Sequence, residues 1–412
     1  MKEHDWTKLL GWPGYRVYQT EIDEKKRTLR LWVRRKKSGL KLICSNCGQH
    51  VPASAIVEIN QREVRDLPCF QYMTTVVVET YRLRCPRCGI KAERVAQLPS
   101  KAPFSKRFEE EIGRACEGAS ARQVARRYQM AESTVRAIDL RYLERCARNR
   151  RRPKLVEMGV DEIYLGKTQK FLTVVSDLET AEPLWFGQDR KKETLDEFFR
   201  KMRKPQRDSI RAVCVDMWEP YRVSIEQWAR NAKIVYDKFH IMQHANRAVD
   251  EVRRAEFFRK GGADREIVKG KRWLLLTRWM NLSEGKRQQL NELFRLNRRV
   301  MKAYLLKESL ERLWTYTYEG AAWRYLENWV KQLRWQRLKA FEKLAMMLLA
   351  HQEGILNYCR VKVRFGVVEA VNGNIKTLLR RGRGYRNLRY LLLKAQRMAV
   401  IKTEFVVFKK AA

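Results

Sequence analysis

Between residues 153 and 244, apolar positions form short and nearly continuous runs that are separated by polar turns. Runs of this length that are rich in β-branched residues predict buried strands. Five such runs occur, at residues 156–163, 170–177, 183–187, 210–216 and 232–237. Between the third and the fourth run, Thr194 and Glu197 have the spacing of a capping box and predict the start of a helix. The predicted order is three strands, a helix, and two strands that each lead into helical sequence.

From residue 245 to 358 the apolar positions recur instead with the spacing of amphipathic helices, which predicts an all-α segment. Ser283 is predicted to cap one long helix that extends to Leu313. For most of the tryptophans in this segment core packing is the expected role, and stacking on a flipped base is the alternative for one or two. These residues are Trp273, Trp279, Trp314, Trp323, Trp329 and Trp335.

The first hundred residues contain stretches that alternate between apolar and polar positions, as strands do. Tyr15–Ile22 and Thr28–Val33 flank a charged turn and predict a hairpin, and Tyr72–Arg84 predicts a long strand. Further on the spacing becomes helical, with a first helix near Phe104 and then two short helices joined by a tight turn within residues 121–138. The N-terminal part is therefore predicted to be a β-rich module followed by a helical one.

These patterns predict an α/β protein of several domains, which agrees with a length of 412 residues. The predicted divisions are a β-hairpin and zinc-ribbon domain at 1–100, a helix-turn-helix and basic linker at 101–152, a core in two parts at 153–244 and 359–412, and an all-α insertion at 245–358. Because the sequence shows no long uncharged apolar stretch and no signal peptide, we expect a soluble cytoplasmic protein.

The charge of the chain is strongly asymmetric, since 87 Lys and Arg residues against 47 Asp and Glu residues give a net charge of +40. Basic groups placed against phosphates release counterions and so strengthen association with a polyanion. Nucleic acid is favoured over an anionic membrane, because no basic amphipathic helix stands alone with an apolar face. A nucleic-acid partner is therefore expected.

Two CxxC pairs, each followed by glycine, stand at Cys44 with Cys47 and at Cys85 with Cys88. Two intervening residues let both thiolates of a pair reach one Zn²⁺, and the glycine permits the tight turn around the sulfurs. Two reduced surface turns are the alternative, and disulfides are disfavoured in a cytoplasmic protein. The sequence therefore predicts a zinc ribbon.

The two short helices within residues 121–138 have the pattern of a DNA-binding helix-turn-helix. Four exposed positions of the second helix and its continuation suit the major groove and its phosphates, namely Ser133, Thr134, Arg136 and Arg141. A helical hairpin without DNA-binding function is the alternative, but the zinc ribbon and the net charge favour a DNA reader. The basic run from Arg148 to Lys154, which includes Arg151 and Arg152, is predicted to be a linker that can also hold phosphate.

Two of the predicted strands lead directly to aspartates, Asp161 and Asp216. The order of strands and helices is that of a ribonuclease H-like core, in which the first and fourth strands are neighbours, so these carboxylates would lie side by side. Like charges at adjacent strand ends repel, and a pair of divalent cations between them would relieve this repulsion and could clamp a phosphoryl transfer. Taken singly, each aspartate is more often a turn or cap residue.

A third acidic residue, Glu369, stands near the start of the helix that follows the all-α segment. Asn372 and Lys376 fall on the same helix face, and with the basic residues that follow they are predicted DNA contacts. The basic residues are Arg380, Arg381 and Arg383. Glu369 would be a third metal ligand, and the alternative is an ordinary glutamate favoured by the helix dipole.

Taken together, these motifs resemble the DDE transposases of bacterial insertion sequences, and most of all the ISL3 family. The resemblance covers nearly the whole chain. It rests on the four paired cysteines, the helix-turn-helix, Gly159–Glu162, Val215–Met217, Asp237–His240 with Asn246–Val249, and Val368–Lys376. The chain departs from the family pattern at Phe365, Gly366 and Ala370, which flank the glutamate motif.

The resemblance implies that Asp161, Asp216 and Glu369 form an acidic triad that binds Mg²⁺ or Mn²⁺, with His240 beside the active site. It implies a nucleoid-associated enzyme that binds terminal inverted repeats in double-stranded DNA, cleaves the strand and transfers it to target DNA, as a homodimer on paired ends. A packed histidine at a helix start is the alternative for His240. A non-enzymatic DNA-binding repressor, an inactivated transposase and a structure-specific nuclease are the alternatives for the whole chain.

Overall fold

The structure is a computed structural model that describes residues 3–36, 42–99, 102–150, 153–166, 171–259 and 263–410, without the side chains of residues 263–264 and 402–410. The chain forms two compact units, Met1–Arg150 and Arg151–Ala412. Among the described residues, no helix has both the length and the apolar composition that crossing a membrane requires. The predicted mixed α/β class is confirmed, since several sheets and many helices are present.

The first unit contains a helix and seven strands before its helical part. They are α1 (Glu3–Leu10), β1 (Tyr15–Asp23), β2 (Thr28–Arg35), β3 (Leu42–Ile43), β4 (His50–Val51), β5 (Ile56–Arg65), β6 (Met73–Cys85) and β7 (Gly89–Ala92), with a 3₁₀ turn at Ala53–Ala55. The main sheet has the order β1-β2-β6-β5, and β7 pairs with the end of β6. The predicted hairpin and the predicted long strand are both confirmed, whereas α1 and β5 were not predicted.

Three helices complete the first unit: α2 (Lys106–Gly118), α3 (Ala121–Arg127) and α4 (Glu132–Arg148). Ser120 caps α3, because its hydroxyl accepts from the amide of Gln123 while the Gln123 side chain accepts from the Ser120 amide. Gln129 lies in the turn to α4 with φ of 49°. The turn was predicted correctly, but α4 is 17 residues long and not a short helix.

One buried carboxylate connects the sheet of the first unit to its helices. Asp66, which follows β5, accepts hydrogen bonds from Trp12 Nε1 at 3.1 Å and from Ser105 Oγ at 2.6 Å. Arg107 of α2 donates to both of its oxygens and forms an ion pair with it. A buried charge that is paired and fully hydrogen-bonded fixes the geometry of its neighbours, so Asp66 fastens the main sheet of the first unit to its helices.

The second unit is built on a five-stranded sheet. Its strands are β8 (Glu157–Tyr164), β9 (Phe171–Asp177), β10 (Glu182–Gln188), β11 (Ala212–Val215) and β12 (Lys233–Tyr236), in the order β10-β9-β8-β11-β12. The first three strands pair antiparallel, while β11 is parallel to both β8 and β12. The predicted adjacency of the first and fourth strands is confirmed by this order.

Thirteen helices belong to the described part of the second unit. They are α5 (Lys192–Arg200), α6 (Lys204–Asp208), α7 (Glu219–Trp228), α8 (Lys238–Arg259), α9 (Ala263–Val268), α10 (Arg272–Leu276), α11 (Glu284–Leu296), α12 (Arg298–Leu310), α13 (Glu319–Leu333), α14 (Lys339–Ala350), α15 (Gln352–Arg360), α16 (Phe365–Gly382) and α17 (Leu388–Lys410), with 3₁₀ turns at Trp279–Asn281 and Glu311–Thr315. The predicted boundaries of the all-α segment, at 245 and 358, fall inside α8 and α15.

Two helix starts differ from the predictions. Helix α5 begins at Lys192, two residues before the predicted capping box, and Thr194 donates to the carbonyl of Gln188 at 3.1 Å. The predicted long helix after Ser283 is interrupted at Asn297, whose side chain accepts from Val300 N at 3.0 Å and so caps α12.

Successive side chains in the strands of the second sheet point to opposite faces of the sheet, and both faces are covered. Met158, Val160 and Val215 contribute to the large core that includes residues of α5 and α7. On the opposite face Cys214 packs with Val368 of α16. Since side chains of a strand alternate between faces, Asp161 and Asp216 lie on the face that α16 covers.

The tryptophans of the all-α segment divide into two groups. Trp314 and Trp329 are buried, and Trp323 packs against the same core, which confirms the predicted packing role for these three. Trp273 and Trp335 are exposed by 72% and 84%, and Trp279 is also exposed, so core packing is wrong for this second group.

Candidate active site

Asp161 and Asp216 occupy equivalent places on adjacent parallel strands. Val160 pairs with Val215 at the end of the β8–β11 ladder, and each aspartate is the next residue along the chain. Asp216 stands directly after β11 as predicted, but β8 continues to Tyr164 because it still pairs with β9, so Asp161 does not end its strand. Each carboxylate accepts a backbone N–H from its own C-terminal neighbour, at 2.7 Å for Asp161 and 2.6 Å for Asp216.

His240, in the first turn of α8, lies between these two carboxylates. Its Nε2 is 3.5 Å from Asp161 Oδ1, and its Nδ1 is 3.7 Å from Asp216 Oδ2. Burial by itself lowers the pKa of the imidazole, but the hydrogen bond to Asp161 and the charge of Asp216 outweigh it and raise the pKa to about 9. A cationic ring thus occupies the space where two acids would otherwise repel each other.

Asp237 lies at the start of the same helix and is buried. Its carboxylate accepts from Phe239 N at 2.9 Å, which is the contact of a helix cap, and its own amide donates to Val215 O at 3.0 Å. Burial raises the pKa of Asp237 to about 6, and the charges of Asp161 and Glu369 act in the same direction. Asp237 therefore supports the helix that presents His240 and lies within electrostatic reach of Asp161 and Glu369.

Helix α16 approaches the sheet at a glycine. A Cβ placed on Gly159 would lie 2.8 Å from Leu178 Cδ2 and 2.9 Å from Val368 Cγ2, and all of these neighbours are buried. The absence of a side chain at Gly159 thus lets α16 pack closely over β8. Glu369, the residue after Val368, is exposed on the surface of α16.

Asn372 connects α16 to the first aspartate. Its Nδ2 donates to Asp161 Oδ2 at 2.5 Å, and the side chain is buried. Its Oδ1 is also buried and has no hydrogen-bond partner among the described residues. Asn372 was predicted to contact DNA, but a side chain buried against Asp161 is not available to a DNA backbone, so the structure places it inside the site.

The three acids do not form a compact group. Within the described part of the chain, the one set of three or more His, Cys, Asp or Glu side chains whose ligand atoms all lie within 4.8 Å of one another is the four-cysteine cluster. Asp161, Asp216 and Glu369 therefore do not form such a compact set of ligand atoms.

The four cysteines of the first unit do converge. Cys44, Cys47, Cys85 and Cys88 have their sulfurs within 4.8 Å of one another, and Cys47 Sγ is 3.6 Å from Cys85 Sγ. Gly48 and Gly89 follow the two pairs with φ of 74° and 69°, which only glycine adopts without strain. The predicted turns at these glycines are confirmed.

The predicted DNA contacts of the helix-turn-helix lie at the surface in most cases. Ser133 and Arg136 are exposed, and Thr134 is partly exposed. Arg136 pairs with Glu132 of its own helix at 2.5 Å, and Arg141 pairs with Glu109 of α2 at 2.5 Å, so Arg141 also fastens two helices together. Arg151 and Arg152 lie outside the described residues.

The basic side chains beyond Asn372 lie toward the C-terminal end of α16 and just past it. Lys376 and Arg380 are exposed, Arg381 is partly exposed, and Arg383 follows the helix with φ of 52°. Arg380 Nε donates to the carbonyl of Lys376 at 3.4 Å. The exposed members of this row are available to a ligand of opposite charge.

Sequence reasoning missed an ion pair next to Asp161. Glu162 is mostly buried on the face opposite Asp161, and Arg190 Nη1 lies 3.3 Å from its Oε1. The signal was present in the sequence, because a glutamate at an inward position of a strand needs a partner. Its partner could not be identified, since Arg190 is distant in the chain and follows β10.

Comparison with known proteins identifies the family. A family model of ISL3 DDE proteins, described as a transposase, matches residues 158–395. The transposase for insertion sequence element IS1001 of Bordetella parapertussis is 32% identical over 391 residues, covering 94% of this chain and 95% of that protein. The transposase for insertion sequence element IS1557 of Mycobacterium tuberculosis is 24% identical over 338 residues, or 76% of each chain. The chain therefore belongs to the ISL3 family of DDE transposases, enzymes that cleave DNA strands and transfer them with the help of divalent metal ions.

Proposed function

We propose that this chain binds the terminal inverted repeats of an insertion sequence and performs strand cleavage and strand transfer at Asp161, Asp216 and Glu369. The observation that carries the proposal is the placement of Asp161 and Asp216 as matched residues of adjacent parallel strands, with His240 between them at 3.5 and 3.7 Å. The strand order β10-β9-β8-β11-β12 supports a ribonuclease H-like core with the helices from α9 to α14 inserted before Glu369.

The donor set of this region fits Mg²⁺ or Mn²⁺. Carboxylate and amide oxygens are the ligands that these hard cations prefer. The space between Asp161 and Asp216 attracts a cation, as the position of His240 indicates, and Asn372 Oδ1 is a buried oxygen without a partner among the described residues. Asp161, Asp216 and Glu369 would hold the ions, which when bound make water a better nucleophile and stabilise the leaving oxygen.

The residues of the chain position the reacting groups. Asn372 fixes the orientation of the Asp161 carboxylate, and the backbone N–H of Met217 fixes that of Asp216. A cation held between Asp161 and Asp216 would replace His240 as the positive charge near them, and His240 would then be available to contact the DNA. Glu369, which is exposed on α16, would supply the third carboxylate.

The proposed chemistry is two in-line displacements. In the first, water attacks phosphorus at the end of the element, the bond from phosphorus to the 3′-oxygen breaks, and a 3′-hydroxyl and a 5′-phosphate are formed. In the second, that 3′-hydroxyl attacks a phosphodiester of target DNA, a new phosphodiester joins the two, and the 3′-oxygen of the target leaves. No bond to the protein is needed in either reaction.

One assay separates the proposed function from its alternatives. Full-length protein is incubated with labelled DNA carrying the ends of its element, a target plasmid, and Mg²⁺ or Mn²⁺. We expect cut ends that become joined to the plasmid. Binding without cutting would indicate a repressor or an inactive copy, and cutting without joining would indicate a nuclease.

The first unit is proposed to recognise the inverted repeats through its helix-turn-helix and zinc ribbon. A tetrahedral site with Zn–S distances of about 2.3 Å places the sulfurs roughly 3.8 Å apart, close to the distance between Cys47 and Cys85 of 3.6 Å. Zn²⁺ is therefore the proposed occupant of the cysteine cluster. Joining two ends in one reaction requires two active sites, so a homodimer on paired ends is also proposed.

Loss of zinc is expected to abolish recognition of the ends. Cys85→Ser removes one thiolate, and because a structural zinc site supplies folding free energy, the ribbon should unfold and the affinity for the inverted repeat should fall at least about tenfold. Zinc content and gel-shift affinity are measured together. Cys214→Ser, at a buried cysteine outside the cluster, is the control and should keep its zinc. Protein purified without chelator that contains no zinc would contradict the assignment.

Asn372→Ala is expected to impair catalysis and to spare DNA binding. The Asp161 carboxylate loses the hydrogen bond from Asn372, and removing such a supporting contact typically lowers metal affinity or activity by about 10- to 100-fold. Lys376→Ala, one turn further on the same helix, should instead weaken DNA binding and spare the cleavage step. The slope of log affinity against log salt concentration should fall by about one, as expected for the loss of one phosphate contact. Mn²⁺ affinity, cleavage rate and DNA affinity are measured for both. Equal losses of DNA affinity in the two variants would return Asn372 to the role of a DNA contact.

A further inference from the structure

Arg190 lies at the same sheet edge as the candidate acids. It follows β10, whose end lies at this edge because β10 runs in the direction of β8. Its guanidinium pairs with Glu162, the residue after Asp161, and its carbonyl accepts from Trp218 Nε1 at 2.9 Å, two residues after Asp216. Arg190 is thus connected to the segments that carry both aspartates.

The position of Arg190 is fixed through its backbone and its side chain. Asp189, with φ of 74°, accepts from Arg190 N at 2.8 Å through its side chain and donates its own amide to Phe171 O at 2.9 Å. The guanidinium carbon lies 4.3 Å from the ring centroid of Phe171 and 4.5 Å from that of Trp218. Contacts of an arginine with two aromatic rings restrict its planar group to one orientation.

The ion pair with Glu162 leaves most of the guanidinium unused. Within the described part of the chain, its hydrogen bond to another side chain is the one to Glu162 at 3.3 Å, whereas a guanidinium has five donors. The Arg190 side chain is 37% exposed, and that of Glu162 is 18% exposed. The Arg190 side chain therefore keeps solvent-accessible donors that the pair with Glu162 does not use.

A fixed cation at this edge of the sheet would offset the negative charge of the candidate acids. Asp161 and Asp216 at this edge, together with Glu369 of α16, would concentrate negative charge where a DNA backbone has to enter, and like charges oppose that entry. Arginine binds phosphate with two parallel N–H donors, and a preoriented arginine loses little entropy in doing so.

We propose that Arg190 binds the DNA phosphate next to the scissile phosphodiester and holds the strand end against the acids. This inference rests on the proposed function, because it assumes that DNA is cut at Asp161 and Asp216. Arg190 contacts the DNA directly under this proposal. Phe171, Trp218 and Glu162 hold the guanidinium of Arg190 in position.

The test compares single-turnover cleavage of an end-bearing duplex by the full chain and four variants. Arg190→Gln removes the charge, and Arg190→Lys keeps the charge but loses the planar fork. Glu162→Gln is combined with Arg190→Gln to ask whether the arginine serves only to neutralise the glutamate. Arg207→Gln is the matched control, because Arg207 also stacks on a tryptophan, 4.9 Å from the Trp228 ring centroid, but precedes β11 at the opposite edge of the sheet.

We expect Arg190→Gln to cleave roughly 10- to 100-fold more slowly than wild type at unchanged end affinity, the loss typical of one charge-assisted contact. The Arg190→Gln, Glu162→Gln double variant should stay slow, Arg190→Lys should be intermediate, and Arg207→Gln should match wild type. Neutral methylphosphonates placed singly on either side of the cleavage point should reveal one phosphate whose neutralisation slows wild type but does not slow Arg190→Gln further.

Two results would overturn the inference while leaving the proposed function in place. One is a double variant that cleaves at the wild-type rate, which would make neutralisation of Glu162 the whole role of Arg190. The other is a methylphosphonate that slows cleavage by Arg190→Gln as much as it slows cleavage by wild type. If Arg190→Gln does not fold, the same comparison is made between Arg190→Lys and wild type. Cleavage that persists in Asp161→Asn would instead contradict the proposed active site, and this inference with it.

Discussion

The Asp161→Asn variant is expected to bind the ends of the element with wild-type affinity. Its rate of cleavage should be lower than that of wild type by a factor on the order of 10³ or more. Asparagine keeps the shape of the side chain and removes its charge. The cation-binding capacity of the pair with Asp216 is therefore lost, which removes several kcal/mol of transition-state stabilisation. The contact that recognises the repeats lies in the first unit under the proposed function, so binding should not change.

The measurement is single-turnover cleavage of a labelled end, together with a gel shift of the same DNA. Asp208→Asn is a suitable control, because Asp208 is an exposed aspartate of α6 that pairs with Lys204 at 3.0 Å. It should cleave as wild type does. Full cleavage by Asp161→Asn would remove Asp161 from the active site, and a loss of binding that equals the loss of cleavage would indicate a folding defect.

Gly159→Ala is expected to damage the site without touching any of its polar groups. The new methyl group would lie within 3 Å of Leu178, Ser176 and Val368, and the β-branched Val368 cannot turn away easily. Overpacking of this kind costs roughly 1–3 kcal/mol of the free energy of unfolding. Since Glu369 follows Val368, a shift of α16 also moves Glu369 and Asn372, and cleavage should fall about 100-fold, as it does when reacting groups are misplaced by about 1 Å.

Gly373→Ala supplies the matched control for this effect. Gly373 belongs to the same helix, and a Cβ placed on it has no neighbour within 4 Å. Alanine there should raise stability by about 0.5–1 kcal/mol, as expected for glycine in a helix, and leave cleavage unchanged. Thermal unfolding and cleavage are compared for both variants. If Gly159→Ala is as stable and active as wild type, the close approach of α16 to β8 does not position Glu369.

Local sequence was sufficient to locate the strands and the two aspartates. A run of apolar residues that leads to a carboxylate is a local pattern, and the order of strands and helices indicated that the strands before Asp161 and Asp216 are neighbours. The structure confirms this adjacency through the pairing of Val160 with Val215. The turns at Gly48 and Gly89 were equally local, because the CxxC-glycine pattern needs a left-handed residue after the second cysteine.

Contacts between distant segments could not be predicted in this way. Asn372 was assigned to the DNA surface because it lies on one helix face with Glu369, but helical spacing does not reveal that this face packs on Asp161. The bridge made by His240 depends on three segments at once. Arg190 and Glu162 likewise meet only because β10 and β8 end at one edge of the sheet.

The misplaced helix starts have a similar cause. The predicted capping box assumed that the polar side chains near Thr194 serve the helix end. In the structure Asp196 is buried and accepts from Lys192, Ser224 and Trp228, so tertiary partners determine where α5 begins. Capping motifs are local signals, and a buried network of hydrogen bonds can override them.

Iron-directed backbone cleavage tests whether residues 161, 216 and 369 together surround the proposed metal ions. Fe²⁺ is substituted for Mg²⁺ in the DNA-bound protein, ascorbate and peroxide are added, and the polypeptide fragments are mapped. The proposed site predicts backbone cuts near all three residues, and their loss in Asp161→Asn. Cuts near Asp161 and Asp216 without any near Glu369, or cuts that persist in Asp161→Asn, would contradict it.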